Sequence, residues 1–216
     1  MFESQTLIKE LLVNQGKLIV FEGPDGIGKS HLAEETCRWL GRLGVEAVQI
    51  SFPGNVENTL GKLVYELHHF HRDRFYIPAM NPLSLQVLHV AAHIDEIDRV
   101  VRPAIEHGTW VILNRFWWST WVYGMLGNVN PKCLELIIEA ERHFWGDLQP
   151  SAIFLVRRQE AIRREHAQET FDRLASLYRE LSIREQASGV IHDLENSELG
   201  ASLQSITTVL KEILEQ

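Results

Sequence analysis

Lys17-Leu18-Ile19-Val20-Phe21-Glu22 runs directly into Gly23-Pro24-Asp25-Gly26-Ile27-Gly28-Lys29-Ser30, and this junction constrains the chain more than any other stretch. The first six residues are mostly apolar, β-rich and too short for a helix, which predicts a buried strand. The next eight satisfy G-x-x-x-x-G-K-[ST]. In that pattern glycines let the backbone curl until successive N–H groups converge on phosphate oxygens. Lys29 then supplies a mobile positive charge for the β- and γ-phosphates, and the Ser30 hydroxyl is the candidate Mg²⁺ ligand. From Ser30 and His31 the chain reads as a helix, whose N-terminus adds the positive end of its dipole. A glycine-rich turn could match eight positions by accident, but here the strand before it and the helix after it are both present. Residues 23–31 are therefore the candidate ATP-binding segment.

A chain of 216 residues is read as a single domain, 1–216, long enough to bury a sizeable core. The net charge of −8, from 21 Lys+Arg against 29 Asp+Glu, argues against a nucleic-acid polymer as partner. Cys37 and Cys133 fall in helical patterns and are expected to be reduced, buried thiols of a cytoplasmic protein. No apolar run approaches a membrane span and the N-terminus lacks a signal-peptide core, so no membrane partner is expected.

The remaining chain alternates strand and helix signals. An amphipathic N-terminal helix is expected over 1–16. Further strands are expected at 45–50, 109–113, 151–156 and 189–193, and helices at 59–70, 82–107, 117–123, 131–145 and 201–214. Pro103 should kink the long helix or shift its last turn. Trp117, Trp118 and Trp121 can form an acceptor wall, but helical aromatics favour a core or a dimer interface. His68, His69, His71 and Asp73 could be read as metal ligands; without a second cluster at ligand spacing they read as a polar loop beside a cleft. The whole predicts an α/β fold: a five-stranded parallel sheet with helices on both faces, of the P-loop NTPase type, with ligands at the carboxyl ends of the strands.

The order F-E-G-P-D-G-x-G-K-S, then F-P-G, then R-P-A-I-E-H-G-x-W-V-I-L-N-R-F-x-x-S-T-x-x-Y resembles the thymidylate kinase family, P-loop nucleoside monophosphate kinases. The loop alone is shared by many NTPases, whereas the stretch over 102–123 is far more specific. The resemblance implies transfer of the ATP γ-phosphoryl to dTMP with Mg²⁺, by a homodimer. It places Asp25 at the acceptor sugar's 3′-hydroxyl, Arg115 at the acceptor phosphate and Tyr123 near the deoxyribose. Phe52, Pro53 and Ser119 join them on the acceptor side. Position 27 is Ile, so no arginine comes from the loop, and Arg163 and Arg164 fall where the family's mobile lid lies, about 157–175. Lys29, Arg115, Arg163 and Arg164 are thus the candidate catalytic residues. Glu22 would serve as a general base were the acceptor an unphosphorylated hydroxyl.

Four positions depart from the family's pattern on the acceptor side. Ser51 stands where an arginine usually precedes the F-P turn. His89 and His93 correspond to the base-stacking aromatic and the base-reading arginine. Asn114 replaces the aspartate before Arg115. These predict that dTMP is a poor substrate or none. Arg72 or Arg74 would restore the phosphate contact only if their loop closed over the cleft, and a charged loop of this kind reads rather as solvated. The departures leave open a related kinase with another nucleotide or nucleoside acceptor, and an ATP-binding regulatory protein that has lost catalysis.

Overall fold

The computed structural model describes residues 16–163 and 165–215; the expected helix over 1–16 lies almost wholly outside them. Five strands form one sheet, all parallel, in the order β2-β3-β1-β4-β5: β1 (Leu18–Glu22), β2 (Ala47–Ser51), β3 (Trp110–Asn114), β4 (Ala152–Arg157) and β5 (Ile191–Glu195). Val20 at its centre lies opposite Leu113 on one side and Ile153 on the other. β2 and β3 lie on one side of β1, with β3 inserted between β1 and β2, and β4 and β5 lie on the other, so the crevice at the carboxyl end of β1 is the topological switch point. That is where the glycine-rich loop lies.

Among the described residues eight α-helices cover the sheet: α1 (Lys29–Arg42), α2 (Leu60–Phe70), α3 (Pro82–Glu96), α4 (Arg102–Glu106), α5 (Trp117–Leu126), α6 (Pro131–Trp145), α7 (Gln168–Glu185) and α8 (Leu199–Leu214). The strand period of two divides β1 between two cores. Leu18 and Val20 pack with Ile97, Trp118, Leu134 and Leu177, whereas Ile19 and Phe21 pack with Leu32, Leu40, Ile206 and Leu210. Each fully buried side chain of this size contributes about 1.5–3 kcal/mol of transfer free energy. Trp117, Trp118 and Trp121 are buried in the first of these cores, not in an acceptor wall or an exposed face.

Helix starts follow local chemistry. Asn81 before Pro82 accepts from Leu83 N and Ser84 N, and Asn130 before Pro131 accepts from Lys132 N. Pro103 does not kink the long helix at its own position. A π-helical segment, Ile97–Val101, widens the ladder just upstream, and Arg102 N reaches back to the Ile97 carbonyl. The wider turn accommodates the ring and missing N–H of Pro103, which then sits in the first turn of α4. The fifth strand begins two residues later than expected because Gly189, at φ 71, first closes a 3₁₀ turn. Cys37 and Cys133 are free but only half-buried, a correction to the fully buried placement expected of them.

Candidate active site

The loop after β1 is shaped by positions that only glycine fills. Gly26 (φ 75) faces the segment before α7 so closely that a Cβ would stand 2.0 Å from the Arg163 carbonyl oxygen. That contact is a docking: Ile162 N and Arg163 N both donate to the Gly26 carbonyl, at 2.8 and 3.2 Å. Ile27 is fully buried and anchors the loop in the core, while Gly23 packs against the Val156 backbone. Asn196, in the turn after β5, donates to the Ile27 carbonyl at 2.7 Å and accepts from the Ser202 hydroxyl at 2.9 Å. Arg158 in turn donates to the Asn196 carbonyl. Lys29, buried at the start of α1, donates to the Pro24 carbonyl at 2.6 Å. Burial, and then the nearby Arg115 charge, bring its pKa down to about 7, against the pull of Asp25 and Glu22.

Asp25 ties this half of the site to the other. One carboxylate oxygen pairs with the Arg115 guanidinium; the other accepts from the Tyr123 hydroxyl and lies 3.3 Å from His166 Nε2. Burial alone would raise the Asp25 pKa, but Arg115 and then Lys29 outweigh it and hold the carboxyl well below its usual range. Arg115 occupies the left-handed region (φ 76), a conformation costing a non-glycine residue about 1–3 kcal/mol, and its N–H bonds the Phe21 carbonyl at 3.0 Å. Its guanidinium also donates to Ser119 Oγ at 2.8 Å. Ser119 Oγ is shared with the Tyr178 hydroxyl of α7, 2.8 Å away.

Glu22 is not placed as a general base. It is fully buried and accepts from Phe116 N at 2.6 Å, Ser119 N at 3.1 Å and Ser119 Oγ at 2.9 Å. It caps the start of α5, whose own N-cap residue, Phe116, has no side-chain acceptor.

A cavity of about 920 Å³ runs from the loop to the α2–α3 pair. Asp25, Gly26, Gly28, Lys29, Ser30 and His31 line its loop end. Arg115, Ser119 and Tyr123 flank it with Ser51, Phe52 and Pro53, and His89 and His93 close it with His68 and His69. Gly23 and Ile27 do not face it, and Pro24 faces a smaller cavity of about 340 Å³ behind the loop. Arg163 lines the cavity too, but its guanidinium pairs with Glu165 at 2.6 Å and its side chain is 82% exposed. Arg164 lies outside the described residues. Arg72 donates to the Pro78 carbonyl and Arg74 pairs with Glu66 at 2.6 Å, so neither reaches the cavity in place of the missing arginine. Among the described residues no group of three or more His, Cys, Asp or Glu has the arrangement of a metal site, which sets aside the histidine segment as one.

Asn114 places its amide nitrogen 3.0 Å from Ser30 Oγ, while its buried Oδ1 has no hydrogen-bond partner among the described residues. It is the N–H side of the amide that faces the hydroxyl, so of these two side chains the Ser30 hydroxyl oxygen is the one placed to ligate a hard cation such as Mg²⁺. Arg158, a candidate in the sequence because it follows strand four, lines the cavity, whereas Asn196, His166 and Tyr178 were not legible as site residues. Each of the four acts across at least 38 residues of chain, and their only signal was position after strands four and five.

A glycine-rich loop cradling a helix N-terminus at the switch point of a parallel sheet defines a P-loop nucleotide-binding protein. The family model for thymidylate kinase matches residues 21–199. The chain belongs to the thymidylate kinase family. It is 33% identical over 138 residues to a thymidylate kinase of Nitrosomonas eutropha, covering 63% of this chain and 61% of the relative. With a thymidylate kinase of Pelodictyon phaeoclathratiforme it shares 30% identity over 160 residues, 69% of this chain and 66% of the relative. These matches span just under two thirds of the relatives' length. Among solved structures, a thymidylate kinase from Ehrlichia chaffeensis superposes with a TM-score of 0.73 over 91% of this chain and 99% of that one. At 18% identity this is a likeness of fold.

Proposed function

We propose that the protein transfers the γ-phosphoryl group of ATP to the phosphate of a nucleoside monophosphate, with dTMP as the acceptor that family membership favours. The observation that carries this reading is the Asp25–Arg115–Tyr123 cluster, joined in one cavity to Lys29 and Ser30. Arg115 would hold the acceptor phosphate, Asp25 the sugar's 3′-hydroxyl, and Tyr123 would pack against the deoxyribose.

An acceptor phosphate oxygen attacks the γ-phosphorus as the bond to the β,γ-bridging oxygen breaks, so the protein's work is alignment and neutralisation of spreading charge. No general base is needed, which fits Glu22 being spent on a helix cap. Lys29 would neutralise the β- and γ-phosphates, and a lid arginine would act beside it, either Arg164 or Arg163 once turned inward from Glu165. Mg²⁺ would supply further charge neutralisation when bound, and Ser30 Oγ would hold it. The same proposal includes a homodimer and a cytoplasmic location; exposed Leu63, Val87 and Val100 on the α2–α3 side are apolar surface that pairing could cover.

A coupled assay of ADP release over dTMP, other nucleoside monophosphates and thymidine tests this. Family membership leads us to expect turnover with dTMP at a kcat/KM above about 10⁴ M⁻¹s⁻¹, in place of the poor turnover that the four departures alone predict. Turnover only with another acceptor would assign the departures at Ser51 and His93 to a changed substrate, and MgATP binding without turnover would overturn the enzyme reading.

A further inference from the structure

The far end of the cavity is built around a buried carboxylate. Glu141 of α6 is fully buried, and its Oε1 lies 3.0 Å from His93 Nδ1 of α3 and 3.4 Å from Trp145 Nε1. Its Oε2 has no partner among the described residues. A buried carboxylate against one imidazole costs more than an apolar pair unless it orders something. A carboxylate can only accept, so Nδ1 of His93 carries the hydrogen and the ring presents Nε2 on its opposite edge. The Phe52 ring stacks on the imidazole, with centroids 4.3 Å apart and planes 18° from parallel, which restricts rotation. His93 lines the cavity, so its second nitrogen is the one left for a ligand.

Two neighbours say what kind of ligand. Gln86 lies seven residues before His93 on the same helix face. It lines the cavity at 4% exposure, and its amide makes no hydrogen bond within the described protein. Between them, His89 Nε2 lies 3.2 Å from His68 Nδ1. Burial holds His89 well below its ordinary pKa and brings His68 down to about 4, so these two rings are uncharged near neutrality. Two uncharged rings, a free imidazole nitrogen and a free amide suit a planar, neutral base; the phosphate belongs at Arg115.

We propose that Glu141 is a positioning residue for base recognition: it fixes His93 so that Nε2 accepts the N3–H of a thymine-type imide while the Gln86 amide meets an adjacent ring carbonyl. This rests on the kinase reading above. A cytosine would present a lone pair at N3 to the lone pair of His93, leaving both unpaired.

The test compares dTMP, dCMP and N3-methyl-dTMP as acceptors. The wild-type protein should prefer dTMP over both by at least about tenfold, the scale of one buried hydrogen bond. Glu141→Leu should raise the dTMP KM about tenfold, leave the ATP KM unchanged and shrink that preference. Glu141→Gln keeps an acceptor for Nδ1–H and should restore most of it. Equal losses in the two variants, equal losses for all three nucleotides, or wild-type indifference to the N3-methyl group would each overturn the proposal. If Glu141→Leu does not fold, Gln86→Ala decides: an unchanged preference for dTMP overturns it. If none of the three is phosphorylated the kinase reading fails by itself, and calorimetric binding of the same nucleotides decides the inference by the same ratios.

Discussion

Asn196 and Ile27 stand 169 residues apart in sequence, yet the Asn196 amide donates to the Ile27 carbonyl at 2.7 Å and so braces the phosphate loop from the far edge of the sheet. Asn196 is held by Ser202 and is almost fully buried. Asn196→Ala should leave the Ile27 carbonyl and the Ser202 hydroxyl unpaired, costing about 1–3 kcal/mol of stability. Because the loop's curvature depends on that bond, the KM for ATP should also rise severalfold. A thermal unfolding curve and steady-state kinetics check both; a destabilised variant with an unchanged ATP KM would show that the brace serves folding alone.

The loop itself was legible because its pattern is local: eight consecutive residues, preceded by an apolar strand and followed by helix formers. The three central strands, β1, β3 and β4, were legible for the same reason, since they are buried almost throughout and read as apolar runs. The edge strands β2 and β5 are only partly buried, were legible from the turns before them, and differ from the expected bounds by one or two residues. The helices opened by Asn81-Pro82 and Asn130-Pro131 announced their starts through local caps. What was not legible is long-range. Glu22 looked available for chemistry because nothing in residues 17–30 reveals that it caps a helix 94 positions later. Glu141 reads as an ordinary polar position of an amphipathic helix, and only the packing of α6 on α3 places it behind His93. Pro103 announced a disturbance, but the ladder absorbed it upstream, at Ile97–Val101.

Lys29 gives the site a pH dependence whose sign follows from its lowered pKa. In the ligand-free protein, burial and Arg115 bring the ammonium down to about 7. A polyphosphate favours the charged form, so binding raises that pKa. Below pH 7 the lysine is already charged and affinity is flat with respect to it. Above pH 7, up to the bound-state pKa, MgATP must bind together with a proton and affinity falls with rising pH. Calorimetry at pH 8 in buffers of different ionisation enthalpy should register uptake approaching one proton, and at pH 6 little. Lys29→Arg, always charged, should show none; uptake persisting in that variant would assign the proton to another group.

Arg163 touches the loop through its backbone while its guanidinium turns to Glu165. If it is the arginine that acts in the transition state, Arg163→Ala should lower kcat by about 10³-fold with little change in the ATP KM. Glu165→Gln should then leave kcat unchanged or raise it, since it frees the guanidinium. A rise in the ATP KM alone would mark Arg163 as an ordinary binding residue.

Ser51 ends β2 on the rim of the same cavity as Arg115, with its hydroxyl 3.5 Å from the Asn114 amide. In that position a hydroxyl can donate one neutral hydrogen bond to an acceptor phosphate, where a guanidinium could donate two charged ones. Each charge-assisted bond is worth about 1.5–3 kcal/mol, so restoring one should improve acceptor binding by about tenfold or more. Ser51→Arg is therefore expected to raise kcat/KM for dTMP, through KM rather than kcat. Thymidine, which lacks the phosphate, should gain nothing, and that contrast separates a phosphate contact from a general change in the cavity. Two arginines would then flank one dianion, and the Ser51→Arg protein should lose its advantage at high ionic strength faster than the wild type loses activity. An unchanged kcat/KM for dTMP would mean that the acceptor phosphate does not approach the end of β2, and the placement of the acceptor between Arg115 and the α3 wall would have to be redrawn.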